Sequence, residues 1–195
     1  MRIGLYGGTF DPVHLGHLIM AEQARTELEL QRVFFVLTPS PPHKSPLTIS
    51  PVAHRLEMLK LALADHPHFE LSTVEMQRPG VSFTVDTLRQ FRAMPEFSES
   101  EFFLIIGVDS FLELQHWREP QAIISMAKLA VYPRPGLDWR HAAPEFLHAA
   151  CLLHGPQIEI SATDIRQRCA RGISIRYLVP AEVEKYILEN RLYRD

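Results

Sequence analysis

Two histidines three residues apart, His14 and His17, close the segment Gly7-Gly8-Thr9-Phe10-Asp11-Pro12-Val13-His14-Leu15-Gly16-His17. On a helical turn that spacing puts both imidazoles on one face, with Gly16 keeping the face open to a bulky ligand. Two rings so placed can reach one anion. Phosphoryl-type transfer asks a protein for donors where charge builds rather than for covalent chemistry, and histidines at a helix start suit that task. The same pair also reads as half of a zinc site or as two core histidines. No third ligand of suitable spacing accompanies it, and the glycines upstream favour the anion. Gly7 and Gly8 let backbone amides approach a phosphate, and a helix beginning near His14 adds the positive end of its dipole. The spacing matches neither the dinucleotide fingerprint Gly-x-Gly-x-x-Gly nor the Gly-Lys-Ser/Thr ending of a P-loop.

Other polar clusters have an ordinary and a functional reading. Gly107-Val108-Asp109-Ser110 follows an apolar run, where Asp109 can accept from a ribose or cap the next helix. Ser161-x-Thr163-x-x-Arg166 combines a hydroxyl, free helix amides and a guanidinium that can converge on a polyphosphate. By itself it is an N-cap with an exposed arginine. His43 and Lys44 lie in a proline-rich loop, as solvated charges or as cations closing over a phosphate. Trp117 stands in the polar stretch Gln115-His116-Trp117-Arg118, so one ring face is available either for edge packing or for a flat ligand. Arg134 ends an apolar run, close to a nucleotide or simply solvated.

These groups need a frame that brings them together. Arg2 to Tyr6 reads as a buried strand broken by Gly7 and Gly8, and Leu15, Leu18, Ile19, Ala21, Ala24 and Leu28 recur at helical spacing. Arg32 to Leu37 is apolar without alternation, as parallel sheets covered on both faces require. Thr38 to Ser50 carries four prolines and reads as an extended loop that ends where Ser50 caps and Pro51 opens a helix, whose inward stripe is Val52, Leu56, Leu59 and Leu63. Further strands are expected at Phe69 to Val74, Glu101 to Ile106, Lys128 to Tyr132 and Ile158 to Ile160. Helices are expected near Thr84 to Met94, Arg118 to Met126, Ala162 to Arg171 and Pro180 to Glu189. Residues 137–156 allow a helix without defining one. The economical reading is a single α/β domain over residues 1–195, a doubly wound, Rossmann-like parallel sheet with a helical C-terminal end.

Composition bounds the function. The 195 residues are 46% hydrophobic and 22% charged, an ordinary globular balance that excludes a disordered or fibrous chain. A net charge of -3 provides no overall basic field for nucleic acid. No apolar run approaches a membrane span of about 18 residues and no signal peptide opens the chain, so a soluble, cytoplasmic protein is expected. Cys151 and Cys169 lack zinc spacing and read as two small buried thiols in a reduced compartment, with a pairing left open.

The glycine-histidine segment resembles the His-x-Gly-His signature of the nucleotidylyltransferase superfamily, and in its extended form the bacterial nicotinate-mononucleotide adenylyltransferase family. Pro41-Pro42-His43-Lys44, Ser82-Phe83-Thr84, Gly107-Val108-Asp109-Ser110, Trp117, Arg134-Pro135-Gly136 and Ile160 to Arg166 match in order over nearly the whole chain. The resemblance implies transfer of AMP from ATP to nicotinate mononucleotide, giving deamido-NAD and pyrophosphate, in NAD biosynthesis. It assigns His14 and His17 to catalysis. ATP falls to Gly7, Gly8, Thr9, Phe10, Gly107, Asp109, Arg134, Ser161, Thr163 and Arg166 together with the two histidines. The mononucleotide falls to His43, Lys44, Thr84 and Trp117, the last stacking on the nicotinate ring. Mg2+ is implied as a bridge between ATP phosphates, with no protein side chain assigned as its ligand. Rivals are another adenylyl- or cytidylyltransferase, a nucleotide sensor without catalysis, and a zinc-binding module. Oligomeric state is left open.

Overall fold

The computed structural model describes residues 1–41 and 49–194. Six strands form one fully parallel sheet, β1 (Arg2–Gly8), β2 (Arg32–Leu37), β3 (Phe69–Ser72), β4 (Glu101–Gly107), β5 (Lys128–Tyr132) and β6 (Ala150–Leu152), in the spatial order β3-β2-β1-β4-β5-β6. The order reverses between β1 and β4. Crossovers leave toward opposite edges there and open a crevice at the carboxyl ends, where open α/β sheets take ligands.

Side chains alternate across the pleat into two cores, which is why these strands read as apolar without interruption. On one face Tyr6, Phe35, Phe103 and Ile105 meet Ala21 and Ala24 of α1 (Leu15–Glu27), Met58 and Leu59 of α2 (Val52–Leu63), Ile165 of α7 (Ala162–Ala170) and Val183 and Ile187 of α8 (Ala181–Glu189). On the other, Leu5, Phe34, Leu104 and Val131 meet Val85, Leu88 and Phe91 of α3 (Thr84–Ala93) and Ile123 of α5 (Pro120–Met126). Phe111 of the short α4 (Val108–Leu112) and Phe146 of α6 (Pro144–Leu147) complete that second core.

Several elements depart from the sequence expectation. Gly7 and Gly8 do not break β1; they pair with Val36 and Leu37 as its last two residues. The left-handed residue of the following turn is Phe10, at φ 47°. Gly8 instead gives room, because a Cβ there would lie 2.8 Å from the Phe10 ring. Pro51 takes the N-cap position of α2 without a side-chain cap from Ser50. The buried positions of that helix are Arg55, Met58, Leu59 and Leu63, while Val52 and Leu56 pack at the core margin. Residues 158–160 are not a strand; β6 lies earlier, inside the stretch that periodicity left undefined. Three edge residues are too few to carry a period, so pairing with Leu129 to Val131 decides them. Phe69 to Val74 ends as a strand at Ser72 and continues as a 3-10 turn. Both cysteines are free thiols, Cys169 buried and Cys151 half-buried.

Candidate active site

The turn between β1 and α1 presents the paired histidines. His14 occupies the N-cap of α1 in extended conformation, and its backbone N–H donates to His17 Nδ1 at 3.2 Å. With Nδ1 accepting, the neutral His17 ring carries its proton on Nε2. The two rings stack with centroids 3.6 Å apart and planes inclined by 23°. Gly16 makes this possible, since a Cβ at that position would lie 3.1 Å from His14 Nδ1. Its role is therefore to seat His14 as well as to open the face. Phe10 and Tyr6 back the His17 ring at centroid distances of 5.1 and 5.9 Å.

Burial sets the charge state of His14. Desolvation, reinforced by the Arg134 guanidinium, pulls its pKa down to about 4, so the ring is neutral at pH 7. Its Nδ1 is buried without a hydrogen-bond partner among the described residues. Of the first amides of α1, Leu15 N donates to the Leu178 carbonyl at 3.0 Å and His17 N to the His14 carbonyl at 2.9 Å, which among the described residues leaves the Gly16 amide beside the neutral ring as the donor open to an anion.

The backbone of this turn is held from outside. Arg55, 1% exposed, donates to the carbonyls of Thr9, Thr38, Pro39 and Ser50 at 2.8–3.0 Å. Burial loosens its hold on its proton and the Asp11 carboxylate counteracts that. Arg166 donates to the Asp11 carbonyl at 2.8 Å, while the Asp11 carboxylate accepts from Ser50 N at 3.0 Å and from Tyr193 Oη at 2.7 Å.

Two cavities flank the ends of β1 and β4. The first, about 280 Å³, lies between β1 and the N-terminus of α3 and is lined by Gly7, Gly8, Thr9, Ser82, Thr84 and Trp117, with Arg118 and the buried Glu75 and Thr87. The second, about 530 Å³, is lined by His14, His17, Gly107, Asp109, Arg134, Ser161 and Thr163. Gly7, Ser110 and Trp117 belong to both walls, so molecules in the two cavities meet across the switch point. Asp109 and Arg134, each about half exposed, pair at 3.6 Å on the rim of the second. Ser161 caps α7 by accepting from Asp164 N at 3.1 Å, and Thr163 Oγ1 accepts from Arg166 at 3.2 Å.

The second cavity gathers only part of the residues that the resemblance assigns to ATP. Gly8 and Thr9 line the first cavity, not the second. The Phe10 ring is buried in the core and lines neither cavity; its part is to support His17. Arg166 also lines neither, because its guanidinium is engaged by Asp11 and Thr163. His43 and Lys44 lie outside the described residues. Arg55, Asp11 and Tyr193 escaped sequence reasoning. For Arg55 a signal existed: it sits three and four residues before Met58 and Leu59, on their face of α2. Among the described residues no group of three or more His, Cys, Asp or Glu could hold a metal ion. Of the described residues lining the second cavity, Asp109 is the one carboxylate, and it is paired.

A doubly wound sheet with a helix N-terminus and two imidazoles at its switch point is the architecture of a nucleotide-handling α/β protein. Residues 5–168 match the family model described as cytidylyltransferase-like, and the chain belongs to that family. A relative from Thermomicrobium roseum, described as "Probable nicotinate-nucleotide adenylyltransferase", is 46% identical over 198 residues, covering 99% of this chain and 92% of its own. One of the same description from Thermus thermophilus is 44% identical over 194 residues and covers 100% of both chains. Among solved structures, the Plasmodium falciparum nicotinic acid mononucleotide adenylyltransferase complexed with NaAD superposes with a TM-score of 0.81 at 17% identity, over 98% of this chain and 97% of that one. The same enzyme complexed with APC gives 0.78 at 16%, over 98% and 96%. At such identity these two likenesses concern the fold. No helix among the described residues is long and apolar enough to cross a membrane.

Proposed function

We infer that this chain is a nicotinate-nucleotide adenylyltransferase: the 5'-phosphate of nicotinate mononucleotide attacks the α-phosphorus of ATP in line, and pyrophosphate leaves as deamido-NAD forms, a step of NAD biosynthesis. The observation that carries the reading is the pair of cavities sharing Gly7, Ser110 and Trp117 beside two stacked histidines. ATP takes the larger cavity, with its α-phosphate at His14, His17 and the Gly16 amide. Gly107 and Asp109 face its ribose side, Arg134 flanks the nucleotide, and the Ser161 and Thr163 hydroxyls at the start of α7 face the outer phosphates. The mononucleotide takes the smaller cavity, its ring against Trp117 and its carboxylate toward Thr84 and the first amides of α3. His43 and Lys44 are the proposed cations for its phosphate.

The chemistry rests on placement. His17 donates from Nε2 to oxygen charge developing on the transferred phosphorus, and His14 supplies a second neutral imidazole. No side chain is adenylated, since nucleophile and leaving group both belong to substrates. Hard cations keep several waters, and Asp109, the one carboxylate among the described residues lining that cavity, already pairs with Arg134, so Mg2+ would enter with the substrate and would supply charge neutralisation at its phosphates. Residues 1–195 act as one domain in the cytoplasm. The test is incubation with ATP, Mg2+ and nicotinate mononucleotide or its amide, with product identification. Deamido-NAD and pyrophosphate are expected. ATP binding without pyrophosphate release marks a sensor, and turnover only with another phosphate acceptor marks a different member of the superfamily.

A further inference from the structure

We propose that Tyr193, four residues beyond the end of α8, is a positioning residue for the catalytic turn and acts through Asp11. Its hydroxyl donates to Asp11 Oδ1 at 2.7 Å across 182 residues of sequence. Asp11 is 4% exposed, and its other carboxylate oxygen accepts from Ser50 N, so one buried carboxylate joins the turn, the loop before α2 and the C-terminal segment. Its neighbour Phe10 has φ 47° and packs its ring edge-on against His17. A bulky residue in the left-handed region stays there only when its surroundings over-determine it. Loss of the Tyr193 bond therefore frees the strained residue that supports His17.

The C-terminal segment is itself built to deliver that hydroxyl. Arg191 and Tyr193 both have positive φ, 50° and 61°, and Tyr193 Oη also approaches Met58 Sδ at 4.0 Å. Burial and the adjacent carboxylate keep the phenol protonated far above its usual range, so it remains a donor throughout any assay. A small displacement at the turn matters because transfer depends on placing donors to within a fraction of an ångström.

A plain anchoring role predicts lost stability and nothing more, and the molecule contains its own control. Tyr186 Oη bonds His54 Nδ1 at 2.9 Å, likewise tying the C-terminal helix to α2, but makes no hydrogen bond to the turn among the described residues. Tyr193→Phe and Tyr186→Phe are to be compared for melting temperature, for kcat and KM with both substrates, and for hydrogen exchange of residues 9–17 in the ligand-free protein. The kinetic arm rests on the activity proposed above; the exchange arm does not. Tyr193→Phe is expected to lower kcat roughly tenfold with each KM within about twofold, and to speed exchange at residues 9–17. Tyr186→Phe is expected to leave kcat and that exchange at parental values. Parental exchange at residues 9–17 in Tyr193→Phe overturns the proposal, as does a kcat loss matched by Tyr186→Phe. If the parent releases no pyrophosphate, the functional reading falls while the exchange comparison still decides this one.

Discussion

The two walls of the larger cavity are built on different principles. On the β1 side, His14 ends a largely buried turn whose backbone and Asp11 carboxylate are held from behind the wall by Arg55, Arg166, Tyr193 and Ser50 through bonds of 2.7–3.0 Å. On the β4–β5 side, Asp109 and Arg134 stand about half exposed, 3.6 Å apart. Groups that meet charge developing in a transition state gain from being fixed beforehand in a dry setting, where a donor is worth more and reorganises less. Groups that only receive a nucleotide tolerate water and motion. On the function proposed above, the contrast separates catalytic from binding groups within one crevice.

Four measurements test that separation. The largest effect is expected for His17→Ala, which removes a preorganised donor and should cut turnover by roughly two to three powers of ten at saturating substrates. A folded variant with near-parental kcat would break the contrast at its centre. Next, Arg55→Ala leaves four backbone carbonyls without their donor, one of them, Thr9, in the turn that carries the histidines. Unsatisfied buried acceptors cost about 1–3 kcal/mol each before water relieves some of them, so at least about 3 kcal/mol of stability should go. In a chain of this length that is a fall in melting temperature of about 6–12 °C. A fall below about 2 °C would mean the turn holds itself.

The third effect is a pH dependence. His14 titrates near 4 in the folded chain and near 6.5 when unfolded, so between those values the unfolded state binds the extra proton. Folding stability from this residue is complete above pH 6.5, falls as pH drops toward 4, and changes little below. Parent and His14→Gln compared by denaturant unfolding at pH 7 and pH 5 should differ by roughly 1–2 kcal/mol in their pH response, the parent losing more. Equal losses would place the His14 ring in water. The smallest effect belongs to the open rim: Asp109→Asn should change stability by less than about 1 kcal/mol, because exposed pairs contribute little, while raising KM for ATP. A stability loss comparable to that of Arg55→Ala would erase the contrast.

Much of the frame was legible from the chain alone. Uninterrupted apolar runs located β1, β2, β4 and β5, and the bounds expected for β2 and β5 coincide with those observed. Spacing put His14 and His17 at a helix start; of the positions expected along this helix, Ala21 and Ala24 are buried and Leu18 and Leu28 pack at the core margin, while Ile19 lines the second cavity. These features depend on neighbours two to four residues away, so sequence carries them. Glycine chemistry was half legible: a close approach was expected at Gly7 and Gly8, but the approaching group at Gly8 is the ring of Phe10.

What the fold alone decided is which polar groups are spent on holding the site and which remain for a ligand. Arg166 reads as a phosphate clamp in sequence and, in the structure, donates to the Asp11 carbonyl; Arg55, to which the sequence reading gave no role, is the buried anchor of the turn. Tyr193 meets Asp11 from the far end of the chain. Local pattern determines where a side chain points along its own helix or strand. Whether that direction ends in water, in a cavity or against a distant carbonyl depends on how the crossovers stack, and a hydrogen bond across 182 residues leaves no period in the sequence to read.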